Sequence, residues 1–111
     1  IEIQKYVRGI YVDESIDDYI VGIVDATRKS DDIQLGASPR GSLSLFRVAQ
    51  AWAVIKGREY VLPDDVKELA KDVLGHRIII KPEVKLRGLT SEDVLTNILR
   101  QVHIPVVRRY V

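Results

Sequence analysis

Six consecutive residues, Gly36-Ala37-Ser38-Pro39-Arg40-Gly41, have the types and spacing most suited to chemistry. Ser38 can cap a helix by accepting from a free amide of the first turn, and Pro39 suits the first helical position, where a missing N–H removes no bond. A helix starting there leaves unpaired N–H groups and a partial positive charge. Arg40 adds a planar, permanently charged fork that suits phosphate. It stands against the helix dipole, so its placement asks for an anionic partner. Gly36 and Gly41 let a ligand or a second backbone approach closely. The segment, with Gly36, Ser38, Pro39 and Arg40 as candidate ligand contacts, reads as half of an anion site. The alternative is an ordinary surface arginine paired with Asp31 or Asp32. No Gly-x-x-x-x-Gly-Lys-Ser/Thr occurs in the chain, so these residues could not hold a nucleotide and magnesium by themselves.

The other reactive side chains carry less. His76 and His103 are the two histidines, and cysteine is absent. With no ligand-spaced companion, neither suits zinc. His76, just after Gly75, can cap helix carbonyls. The acids Asp13, Glu14, Asp17, Asp64, Asp65, Glu92 and Asp93 fall where helices begin, and the dipole explains them there. Ser38, Ser42 and Ser44 lack a Gly-x-Ser-x-Gly elbow. Phe46 and Trp52 lie on an apolar helix, where packing outweighs a stacking role.

The elements that must position Arg40 follow from periodicity. Residues 1–12 suggest a short helix and then an extended Ile10-Tyr11-Val12. Ile16, Tyr19, Ile20, Ile23, Val24 and Thr27 make one stripe of an amphipathic helix after Asp13, with Gly22 implying a close helix–helix contact. Residues 30–37 read as a loop. The next helix, about Pro39 to Lys56, is apolar on most sides, which predicts a helix surrounded by others; Gly57 ends it. Arg58-Glu59-Tyr60-Val61 is a short extended connector. Pro63 opens a third helix that stops at Gly75. Ile78-Ile79-Ile80 is β-prone and could bridge to Tyr60-Val61 or pack as a loop. Thr90-Ser91-Glu92-Asp93 is a capping box with Asp in the Glu/Gln slot, and a fourth helix follows. The expected fold is all-α: a small bundle of four main helices plus a short N-terminal helix, with at most a short β bridge.

Taken in order, Gly36-Ala37-Ser38-Pro39-Arg40, the alanine-rich helix, Gly57-Arg58-Glu59-Tyr60-Val61-x-Pro63-Asp64-Asp65-Val66 and His76-Arg77-Ile78 resemble the C-terminal lid of MoxR-type AAA+ ATPases. Tyr11-Val12, Tyr19-Ile20-Val21, Ala26-Thr27-Arg28, Thr90-x-Glu92-Asp93-Val94 and Ile98-Leu99 fit too, so the resemblance covers roughly residues 7–105. It implies that a larger α/β domain carries the Walker motifs, that ATP and magnesium lie between the two domains, and that Arg40 is the sensor-two arginine reaching the terminal phosphate. It also implies a homohexameric, chaperone-like remodelling or maturation ATPase of the cytoplasm, working with von Willebrand factor A-type partners. Two features depart from the family. Leu62 stands where members often carry Thr, losing a capping hydroxyl, and the α/β domain is absent.

Length and composition agree with this reading. The 111 residues suit one lid domain, 1–111, and the start at Ile1 suggests a piece of a longer ATPase. Hydrophobic residues make 46% and charged residues 30%, which is a globular balance. The net charge of +1 and interleaved acids and bases speak against nucleic acid as a partner, and no apolar run is long enough to span a bilayer. A helical nucleic-acid-binding bundle and a standalone protein-interaction module are the rival functions. Alone, the fragment is expected to need no cofactor and to have no ATPase activity.

Overall fold

Apolar stripes on four helices meet in one core. The computed structural model describes residues 7–107. The elements are α1 (Glu14–Lys29), β1 (Ile33–Leu35), α2 (Pro39–Ile55), α3 (Pro63–Leu74), β2 (Ile79–Ile80), α4 (Pro82–Leu86) and α5 (Ser91–Gln101). The expected N-terminal helix falls largely outside the described residues, of which Val7 and Arg8 are helical. The α1 stripe is buried as its spacing requires, through Ile16, Tyr19, Ile20, Ile23 and Val24. Leu45, Ala49 and Ala53 of α2 face Val66, Ala70 and Leu74 of α3, and Val94, Leu95, Ile98 and Leu99 of α5 close the core. Alanines at these positions let backbones come together, and α2 and α3 form the most extensive helix pair.

Local chemistry sets the boundaries. Asp13 caps α1, accepting from the Ser15 amide at 3.0 Å and from the Tyr11 hydroxyl at 2.8 Å. The capping box predicted before α5 is complete. Thr90 accepts from the Asp93 amide at 3.2 Å, and Asp93 accepts from the Thr90 amide at 2.9 Å. Helix α2 ends in a Schellman turn: the Gly57 amide bonds to Val54 O and the Arg58 amide to Ala53 O. Gly57 has φ +74°, the left-handed conformation this turn needs.

The structure departs from the sequence expectations in four places. Residues 33–35 are a strand and not loop, and β2 pairs antiparallel with it, Ile33 opposite Ile80 and Leu35 opposite Ile79. Ile33 and Ile80 bury their side chains, which favours this ribbon over a contact with Tyr60-Val61. Tyr60 instead bridges Tyr11, with the Tyr11 amide on Glu59 O and the Val61 amide on Tyr11 O. Second, residues 82–86 add a short helix opened by Pro82. Third, α2 is not enclosed. Leu43 is 58% exposed and Ile55 73%, so apolar side chains near both ends face outward. The Gly22 contact is also looser than expected, since a Cβ there would meet Val102 Cγ1 at an ordinary 3.8 Å.

Candidate functional site

The anion-site segment joins β1 to α2, and its placement begins with α1. Thr27, on the apolar stripe, is completely buried. Its hydroxyl donates to Val24 O at 2.6 Å and accepts the Ala37 amide at 3.0 Å. Gly36 lies directly on the α1 backbone: a Cβ there would stand 2.7 Å from Arg28 Cα and 2.8 Å from Arg28 N. A second backbone is therefore what approaches Gly36. Ala37 is buried as well. Gly41, within the first turn of α2, is wedged between Ala37 Cβ and Leu74 Cδ2, each 3.2 Å from where its own Cβ would be.

Ser38 and Pro39 open α2 as expected, at the N-cap and first helical positions. Ser38 is extended (φ −84°, ψ 171°), but its hydroxyl makes no capping bond, which leaves the first-turn amides without that acceptor. Arg40 projects from this turn and is exposed. Among the described residues it makes no ion pair or hydrogen bond, and the pairing with Asp31 or Asp32 does not form. The first turn of α2 contains no acid. Arg77, beyond α3, brings a second guanidinium to this end of α2 by donating to Ser44 Oγ at 3.0 Å. An open depression of about 320 Å³ beside the turn is lined by Asp17, Pro39, Ser42, Leu43, Phe46 and Arg47. The site therefore combines an unpartnered arginine, the positive end of a helix and an apolar rim. These are half of what holds a phosphate ester.

Other candidates lie elsewhere. His76 and His103 are exposed and separate. Among the described residues no cluster of three or more His, Cys, Asp or Glu could hold a metal ion, and no helix is long and apolar enough to cross a membrane. Phe46 packs against the core with Arg47 over its ring, while Trp52 is half-buried beneath Lys56 Nζ at 4.8 Å.

Sequence reasoning missed three polar anchors. Thr27 passed as part of an apolar stripe, although a polar side chain on such a stripe needs a partner and that need is a usable signal. Gln50 is buried and donates to Ile10 O at 2.9 Å, tying the segment before α1 to α2. Asp65 looked like a dipole-favoured acid. It is a buried carboxylate gripped by both Arg58 Nη atoms at 2.7 and 2.8 Å, and it also accepts the Leu62 amide.

Residues 25–98 match the AAA lid domain family. The chain belongs to that family. Its relatives place it in the MoxR group. It is 33% identical to the chaperone MoxR1 of Mycobacterium tuberculosis, over 96% of this chain and 31% of that protein. It is 43% identical to YeaC, an uncharacterized protein of Bacillus subtilis, over 96% of this chain and 33% of that one. A crystal structure from Cytophaga hutchinsonii, of a protein provisionally named an ATPase, superposes with a TM-score of 0.88 at 38% identity, covering 95% of this chain and 34% of that one. The AAA lid thus spans about a third of the length of the relatives it matches.

Proposed function

We propose that residues 1–111 are one lid unit of a longer MoxR-type ATPase, closing over ATP held by an α/β core and supplying Arg40 as its sensor-two residue. The supporting observation is the exposed, unpaired Arg40 on a first turn clamped from both sides. ATP with magnesium, held by the core, supplies the phosphoryl group. Arg40 lies on the γ-phosphate and offsets the negative charge that develops on its oxygens during transfer. The positive end of the α2 dipole adds a fixed field in the same direction.

Leu43, 58% exposed one turn past Pro39, supports a covering partner next to the same turn. The core of the same chain fills that role, so loss of the γ-phosphate releases the lid as a rigid body. The parent is a cytoplasmic homohexamer that works with von Willebrand factor A-type partners to remodel or mature other proteins; the chaperone name of one relative supports its chaperone-like role alone.

Arg40→Ala in the complete chain is expected to lower ATP turnover about tenfold or more. Steady-state hydrolysis by purified full-length protein checks this, and wild-type turnover in the variant would remove Arg40 from the site.

A further inference from the structure

We propose that Thr27 is the positioning residue for Arg40, with its buried hydroxyl fixing the direction in which the guanidinium leaves the lid. This rests on the sensor-two reading and deepens it. Arg40 itself has no partner among the described residues, so its aim depends on the backbone that carries it. That backbone is fixed on two sides. On the α1 side, Thr27 accepts the Ala37 amide at 3.0 Å while donating to Val24 O at 2.6 Å, so both functions of the hydroxyl are used. On the α3 side, Gly41 is pressed against Leu74, and its amide donates to Ser38 O at 2.8 Å. The Ser38 hydroxyl does not cap the turn, so the contact to Thr27 is the side-chain hydrogen bond that ties this loop to the bundle.

The chemistry of the two neighbours makes Thr27 separable from ordinary packing. Valine has nearly the same shape but cannot accept the Ala37 amide. Serine keeps the hydroxyl and loses a methyl group. Buried, the Ala37 N–H must find another acceptor or turn toward solvent, and either movement swings the first turn of α2. A displacement of about 1 Å at a group acting on a transition state is enough to reduce rate by up to about 100-fold. Gly36 serves the same clamp, because any side chain there would push the loop off the Arg28 backbone.

The test is a double-mutant cycle in the full-length protein. ATP turnover is measured for wild type, Thr27→Val, Arg40→Ala and the double variant, with Thr27→Ser as the conservative control and thermal unfolding recorded for each. Thr27→Val is expected to lower kcat at least threefold, Thr27→Ser to stay within twofold of wild type, and Thr27→Val to have no further effect once Arg40 is gone. The same fold loss in both backgrounds would make Thr27 a purely structural residue and overturn the proposal, as would an unchanged kcat for Thr27→Val. If Thr27→Val does not accumulate as folded protein, Thr27→Ala takes its place in the cycle with the same expectations. An Arg40→Ala variant with wild-type turnover would sink the sensor-two reading itself, and this proposal with it. A fall in Arg40→Ala without coupling to position 27 would sink only this proposal.

Discussion

A single carboxylate illustrates how burial changes the role of a residue. Asp64 and Asp65 are adjacent in the first turn of α3, yet Asp64 faces solvent and Asp65 is 4% exposed. Asp65 accepts two parallel bonds from Arg58 and the Leu62 amide, so its lone pairs are satisfied where water is excluded. The Arg58 fork also donates to Tyr60 O at 3.0 Å, which joins the connector to the start of α3. Arg58→Ala leaves that carboxylate buried without its counter-charge and is expected to destabilise the chain by about 3 kcal/mol. Arg58→Lys keeps the charge, loses the fork, and should fall between the two. Urea denaturation of the three proteins checks the order, and equal midpoints would reject it. The pair was not legible in the sequence because its partners lie seven residues apart across a turn, and an acid at a helix start already has a local explanation. Thr27 escaped for a related reason: the Ala37 amide it holds is ten residues away and unseen by periodicity.

At the scale of elements the sequence was far more legible. The starts of α1, α2, α3 and α5 follow from Asp13, Ser38-Pro39, Pro63 and Thr90, because capping is written within four residues. The β ribbon was not legible. Its strands have three and two residues, lie more than forty positions apart, and are chosen by which isoleucines can reach the core. Two glycines test how well the local rules hold. Gly57 has positive φ and open space around it, so Gly57→Ala introduces backbone strain alone, about 1 kcal/mol of destabilisation. Gly22 sits in the middle of α1 with room for a methyl group, so Gly22→Ala should stabilise by roughly 0.5–1 kcal/mol. Melting temperatures moving in opposite directions would bear out both; a loss at position 22 would mean the Val102 contact is tighter than 3.8 Å.

For the whole molecule, the exposed apolar side chains of α2, Leu43 and Ile55, mark the limit of sequence reading. Hydropathy identifies a surface that avoids water and does not say whether this chain or another region covers it. The same scale governs the response to pH. Asp13 is held below the ordinary carboxylate value of 3.8 by hydrogen bonds from the Ser15 side chain, the Tyr11 hydroxyl and the Ser15 amide. Asp93 is held below it by its bonds with Thr90, the amide first. Their contribution to stability is present above about pH 4 and is lost as pH falls through the depressed native values. Tyr19 works in the opposite sense. Burial, helped by the charge of Asp64, raises its pKa above the ordinary 10.0, so its contribution is present below pH 10 and is lost as pH rises through the raised value. Denaturation midpoints should therefore form a plateau between those limits and drop on both sides. Tyr19→Phe should remove much of the alkaline drop, and an unchanged alkaline limb in that variant would exclude Tyr19 as its source.

The ribbon has one more consequence. With Ile33 opposite Ile80, the chain enters and leaves the α2–α3 hairpin through one narrow neck. Arg40 stands at the base of the hairpin beside that neck, while the Gln50–Ile10 and Tyr60–Tyr11 contacts moor the hairpin to the segment before α1. A pull on Arg40 therefore bears first on the ribbon and α1, close to where it is applied, as a lever bears on its hinge.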